Sequence, residues 1–170
     1  MLEKTNTPSS AVAQEPAVVI RTRKGVEILV DADVAEWLDG RAVWLSGTGY
    51  PRIWQDGKRQ PLHRLVMDAP KGVPVDHING DILNCTRANL RLCSNAENNR
   101  NSRMRKDNSS GRKGVCWDRQ KGKWRAAIKL DGKQKHLGLF TCLEAAAAAY
   151  DKAALELHGD FARTNAELVG

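Results

Sequence analysis

The sequence predicts an α+β fold, and three observations carry that prediction. Short β-branched runs are separated by glycine and Asp-Gly turn signals. Two stretches have the Ser/Thr-x-x-Glu pattern of a helix N-terminal capping box. One alanine-rich segment near the C-terminus repeats apolar residues at helical spacing. Together they specify a small antiparallel N-terminal sheet, then a middle section of short strand, polar loop and helix. A three-stranded antiparallel sheet packed on one helix completes the chain. The 170 residues suffice for one ordinary domain or two small ones, each with a thin core anchored by some of the five tryptophans.

Residues 1–16 are polar, proline-bearing and aperiodic, and are expected to be a disordered tail. Strands are predicted at Val18–Ile20 and Val26–Val30 around Gly25, then a helix capped by Asp33 that reaches Leu38 and stops at Gly40. Further strands follow at Ala42–Leu45 and Tyr50–Trp54, and Asp56-Gly57 starts a hairpin whose second strand runs from Arg59 to Met67. Lys58 and Arg59 on this hairpin could touch phosphate, or simply face solvent. The first folded unit is expected to span 17–101, a basic linker 102–111, and the second unit 112–165. In that second unit, strands are predicted at Gly114–Asp118, Trp124–Leu130 and Lys133–Phe140, the last two joined at Asp131-Gly132. A helix then starts at a Thr141–Glu144 capping box and stops at Gly159.

The formal charge is +7, but it is unevenly placed. Between Asn101 and Lys135 twelve Lys/Arg face three Asp, a net of +9, which leaves −2 for all the rest. A basic block beside a near-neutral half points to a polyanion-binding module attached to something else. The four cysteines form no C-x-x-C pair and lack flanking histidines at zinc spacing, so no structural zinc is expected. No disulfide framework is expected either, which suits a reducing, intracellular compartment. No apolar run approaches the roughly twenty residues of a membrane helix.

The chemistry concentrates between Val75 and Asn101. Asp76 and His77 are adjacent on a predicted strand, and successive strand residues point to opposite faces unless the strand ends there. Asn79-Gly80 gives it a reason to end. Ser94–Glu97 is an S-x-x-E box, and the helix it starts carries Asn95, Asn98, Asn99 and Asn101, although asparagine is a poor helix former. Asn98 and Asn101 share a face and could present amide oxygens to Asp76. Asn89 is placed to bridge the loop and fix the His77 imidazole. A hard carboxylate ligand suits Mg²⁺ or Mn²⁺, and a neutral histidine can deprotonate water. That is the equipment phosphodiester hydrolysis requires. One carboxylate and neutral amides make a weak cage, so a metal would bind well only when a DNA phosphate completes its shell. His63, flanked by apolar residues, is expected to be mainly a packing residue, with Asn101 a possible second supporting group.

These motifs resemble the HNH endonucleases of the ββα-metal fold, in the phage and intron-encoded homing-type branch. The resemblance rests on H-R-L-V at 63–66, V-D-H-I-N-G-D at 75–81, Asn84, N-L-R at 89–91 and E-N-N at 97–99. It implies His77 as general base, Asn89 as its orienting group, and Asp76 and Asn98 as ligands of a divalent cation. The stretch 110–165 (R-K-G-V-C-W, G-K-W-R-A-A-I-K, H-L-G-L-F and H-G-D-F-A-R-T-N) resembles the plant APETALA/ethylene-response-factor DNA-binding domain. In that family the sheet lies in the major groove of double-stranded DNA. Lys113, Arg125 and Lys129 are the candidate contacts here, joined by Arg103, Arg105 and Lys106 in the linker. Cys116, Ala127 and His136 replace the Arg, Glu and Trp common in plant members, which removes their base-reading pattern but leaves phosphate contact. Trp117 and Trp124 fall by alternation on the core face, so the sheet lacks the stacking platform typical of RNA binders. The sequence thus implies a divalent-metal-dependent DNA endonuclease with one site per chain, hence a nick per binding event. A DNA-binding regulator with an inactive nuclease half is the alternative.

Overall fold

The computed structural model describes residues 16–102, 104 and 107–169; the expected tail lies outside them apart from Pro16. The described chain is α+β, built from small antiparallel sheets and short helices. β1 (Ala17–Arg21) and β2 (Glu27–Asp31) form a ribbon. It turns through Gly25 at φ 77°, a left-handed conformation that glycine adopts at no steric cost. α1 (Ala32–Trp37) begins earlier than expected, with Asp31 at its N-cap. Asp33 is not the cap. Its carboxylate instead takes the Arg87 guanidinium at 2.8 Å, and Asp31 takes the Arg87 backbone amide at 3.0 Å. A long-range ion pair has displaced the local capping bond.

β3 (Val43–Leu45), β4 (Pro51–Gln55) and β5 (Lys58–Pro61) form a three-stranded sheet in that order. Asp56 and Gly57 both have positive φ, as a two-residue hairpin requires. The strand expected from Arg59 to Met67 is corrected: it ends at Pro61, and α2 (Leu62–Val66) follows. Proline has no amide to continue the ladder, and its fixed φ suits a helix entrance. Helical spacing also lets fully buried Leu62 and half-buried Leu65 and Val66 reach the core of Ile28, Val30, Val34, Ile53 and Cys85 together.

β6 (Val75–His77) pairs antiparallel with β7 (Leu90–Leu92), and α3 (Asn95–Arg100) completes a ββα unit. The loop between the two strands is stitched by Asn79, Asp81 and Asn84 side chains, each accepting from a backbone amide two residues on. It is also hydrogen-bonded to β2 through Leu29–Leu83 and Cys85–Leu29. The Ser94–Glu97 capping box forms in both directions. From Asn108 to Arg112 the chain makes a turn tied by the Asn108 and Ser110 side chains, and Ser110 Oγ donates to the Val115 carbonyl.

β8 (Val115–Asp118), β9 (Lys123–Leu130) and β10 (Lys133–Phe140) form an antiparallel sheet with β9 central. α4 (Leu143–His158) packs across it through Ala146, Ala147, Tyr150, Ala153 and Ala154, against Val115, Ala126 and Ile128. Small alanines let helix and sheet approach closely. The Thr141 capping box does not form. Cys142 is the N-cap without a side-chain cap bond, its thiol pointing to Glu144, and Gly159 ends the helix. A short 3-10 turn (Gly159–Phe161) and α5 (Asn165–Val169) follow. Trp117 and Trp124 are cross-strand partners on the core face as alternation requires, their rings edge to face at 5.0 Å. Trp117 nonetheless remains 47% exposed. Among the described residues no helix is long and apolar enough to cross a membrane.

Gly114 has φ 74°, and a Cβ there would lie 2.0 Å from the Tyr150 ring and 2.8 Å from the Ala127 carbonyl oxygen. Gly114→Ala is therefore expected to destabilise the fold by about 1–3 kcal/mol, as overpacking does. Urea unfolding checks this: a wild-type midpoint would show that the glycine is not required.

Candidate functional site

The pairing of β6 with β7 sets Asp76 opposite Arg91 and His77 opposite Leu90. β6 ends at His77, and both Asp76 and His77 line one cleft of about 680 Å³, together with Tyr50, Arg52, His63 and Asn98. The early end of the strand resolves the divergence that alternation would impose. Walls come from three places in the chain: β4, α2 and the ββα unit.

Asp76 is buried and fully engaged. Its Oδ2 accepts from Arg91 Nε at 2.9 Å and Nη2 at 2.7 Å, and from Asn101 Nδ2 at 2.9 Å. Its Oδ1 accepts from Asn101 Nδ2 at 3.0 Å, so Oδ1 is the less occupied oxygen. A buried carboxylate without such partners would be strongly disfavoured. The same Asn101 nitrogen lies 2.9 Å from the His77 carbonyl oxygen, tying the end of α3 to the end of β6. Arg91 was not singled out in the sequence. The N-L-R motif beside V-D-H, paired in antiparallel register, is the signal that could have found it.

His77 is 5% exposed, and its Nε2 has no hydrogen-bond partner among the described residues. The ring packs against His63 at 5.1 Å and Tyr50 at 5.9 Å. Burial pulls its pKa below the ordinary histidine value, outweighing the opposing pull of Asp76 and Asp81. His63 is pulled down to about 4, first by burial and then by the charges of His77, Arg64 and Arg52. Both imidazoles are thus neutral near pH 7. The His63 ring packs on His77 and Tyr50.

Asn89 differs from the expectation. Its side chain does not reach the imidazole. Oδ1 accepts from the Asn79 amide at 3.0 Å and Nδ2 donates to the Asn84 carbonyl at 2.8 Å, while the Asn89 carbonyl accepts from the Ile78 amide at 2.8 Å. It therefore holds the backbone leaving His77 and not the ring itself, because the Asn79–Asn84 turn curls back over it. Asn98 lines the cleft, whereas Asn101, one turn on, is the helix residue that bonds Asp76.

Among the described residues no group of three His, Cys, Asp or Glu could hold a metal ion by itself. What is present is one buried carboxylate, a nearby amide and an open polar cleft. That set fits a divalent cation held by one carboxylate together with water and phosphate oxygens.

In the basic half Lys113 is half-buried and has carbonyl partners within the fold. Its Nζ donates to the Arg100 carbonyl at 2.8 Å and the Ser102 carbonyl at 2.7 Å, and burial pulls the amine down to about 8. Its own amide and carbonyl are fixed by Asn165. The fold uses this ammonium internally. Arg125 and Lys129 are exposed on the face of β9 opposite its core residues. Arg103, Arg105 and Lys106 lie outside the described residues.

Residues 61–100 match the family model described as HNH endonuclease. Protein 3.8 of Escherichia phage T7 is 42% identical over 94 residues, which cover 55% of this chain and 77% of that protein. An uncharacterized HNH endonuclease of Acanthamoeba polyphaga mimivirus is 34% identical over 128 residues, covering 72% of this chain and 65% of that protein. No solved structure shows significant similarity to the chain. The matched span holds α2 and the whole ββα unit apart from Asn101, so both the sheet-borne Asp-His pair and the helix that faces it fall inside the similarity. Residues 61–100, which hold the Asp-His pair and the helix facing it, are thus similar to an HNH endonuclease domain.

Proposed function

We propose that this protein is a divalent-metal-dependent DNA endonuclease that hydrolyses phosphodiester bonds and nicks double-stranded DNA. The observation that carries the reading is the adjacent Asp76 and His77 at the end of β6, opening on one cleft with the His77 Nε2 left without a partner among the described residues. A buried imidazole nitrogen is ordinarily hydrogen-bonded, and an attacking water is a partner that its function would supply. His77, neutral because it is buried, takes the proton of that water. Asp76 and Asn98 would hold a divalent cation. When bound, it neutralises charge on the phosphate and stabilises the leaving 3′-oxygen. Asn89 sets the position of His77 through the backbone, Asn101 ties Asp76 to α3, and His63 keeps the His77 ring in place. Arg52, whose Nε is buried without a partner among the described residues, stands in the cleft as a further phosphate contact.

The C-terminal sheet supplies DNA affinity in this reading. Arg125 and Lys129 contact phosphates from β9, and Arg103, Arg105 and Lys106 extend the basic track from the preceding segment. The domain boundaries we propose are 17–101 for the nuclease unit and 112–165 for the sheet-and-helix unit, with 102–111 between them. The specific observation favouring a non-cutting DNA-binding regulator is the Arg91–Asp76 pair, which already neutralises the candidate metal ligand.

Supercoiled plasmid incubated with protein and Mg²⁺ or Mn²⁺ separates the two. Nicking by the wild type and its loss in His77→Ala is the expected result; DNA binding without cleavage by either would establish the regulator. The nicking rate at saturating DNA should be flat through neutrality. It should fall only as pH drops below the ordinary histidine value of about 6.5, because burial lowers the His77 pKa and protonation removes the base. An acid limb centred above that value would exclude a buried neutral histidine. Lys129→Ala is expected to reduce the slope of log affinity against log salt by roughly one, leaving turnover intact. An unchanged slope would show that β9 is not a DNA-contacting strand.

A further inference from the structure

The sheet-and-helix unit does more than lie beside the nuclease unit: it reaches into the surroundings of Asp76 by two independent routes. The first runs through Arg91. That guanidinium uses Nε and Nη2 on Asp76, while its third nitrogen, Nη1, donates to the Asp160 carbonyl at 2.6 Å. Its carbon sits 3.7 Å above the centre of the Phe161 ring. The planar fork is thus fixed on one edge by the nuclease unit, and on its other edge and one face by the 3-10 turn after α4. The second route runs through Lys113. Its ammonium grips the carbonyls of Arg100 and Ser102, which flank Asn101, the residue whose amide holds Asp76 and the His77 carbonyl. A cation at the end of a helix suits both the free carbonyls and the negative end of the dipole. Two lesser contacts stand beside them: Arg100 pairs with Asp131 of the β9–β10 turn, and the Arg163 guanidinium lies so close to Gly80 that a Cβ there would be 2.1 Å from Nη1.

We propose that Phe161 and Lys113 are positioning residues for the nuclease site: Phe161 fixes the Arg91 fork that orients Asp76, and Lys113 fixes the Asn101 amide on its other side. Neither touches substrate. The inference rests on the nuclease reading above, and it gives the second unit a task separate from DNA affinity. Misplacing a reacting group by about an ångström can cost on the order of 100-fold in rate without affecting binding. The aromatic face of Phe161, and not its bulk alone, is what a guanidinium recognises. An ammonium or guanidinium at position 113 can serve two carbonyls, whereas an apolar side chain cannot.

The test uses the full chain. Phe161→Ala, Phe161→Leu and Phe161→Tyr are compared in plasmid nicking at saturating DNA, with DNA affinity measured in EDTA and folding followed by circular dichroism. The expected result is a loss of about tenfold or more in turnover for the alanine and leucine variants. Tyrosine should restore it, and the KM for DNA should stay within about twofold throughout. Lys113→Met should behave as Phe161→Ala, and Lys113→Arg should recover most of the rate. A readout independent of cutting is the Arg91 Nε–H resonance, shifted by the Phe161 ring current and slow to exchange in the wild type. It should move and exchange faster in Phe161→Ala. Wild-type turnover in Phe161→Ala and Lys113→Met, or leucine doing as well as tyrosine, would overturn the proposal while leaving the nuclease reading intact. If the wild type cuts nothing, the nuclease reading fails instead. The exchange rate of the Arg91 Nε–H then decides the positioning role alone: faster exchange in Phe161→Ala supports it, and an unchanged rate overturns it.

Discussion

The Asp76–Arg91 ion pair is the contact on which the arrangement of the site depends. It joins two strands of three residues each, too short to be stable by backbone pairing alone. It also makes the burial of a carboxylate tolerable, since Asp76 is 6% exposed and receives hydrogen bonds from both Arg91 and Asn101. Arginine serves here where lysine would not, because one planar fork can grip a carboxylate, a backbone carbonyl and an aromatic face at once. Through that fork a residue pair inside the ββα unit is linked to the 3-10 turn that closes the C-terminal helix.

The electrostatics divide the labour. The cleft combines one carboxylate neutralised by Arg91, two imidazoles kept neutral by burial, asparagine amides, and the guanidinium groups of Arg52 and Arg64, so its own charge is positive. The cations are concentrated between Asn101 and Lys135, and of these Arg125 and Lys129 stand exposed on the strand face. A cleft lined by arginines beside a strongly basic surface suits a polyanion. Lys113 belongs to the basic count by composition and to the scaffold by structure: two carbonyl contacts withdraw it from the surface.

Much of the fold was legible because the signals were local. Asp56-Gly57 and Asp131-Gly132 form their hairpins with positive φ at both residues. Ser94 and Glu97 form their box, and Gly159 ends α4. The failures have a common physical cause, a distant partner that outweighs a local preference. Asp33 leaves its capping role for Arg87, fifty-four residues away. Pro61 hands a predicted strand over to α2 because Leu62 has a core to enter. Asn89 spends its side chain on the Asn79–Asn84 turn and not on the ring it was expected to hold. Trp117 keeps the alternation that puts it on the core face and is still half exposed.

By itself the sequence determined the residue types the chemistry needs, the turns, the ββα order and the placement of the basic block, because each rests on neighbours within a few positions. Only the tertiary structure decided how those residues are shared. It set Arg91 against Asp76 and assigned Asn101 the direct bond, with Asn98 on the cleft wall. It turned Lys113 inward and stacked His63 on His77. These outcomes depend on strand register and on which surfaces two small cores leave facing each other, and no local spacing carries that information.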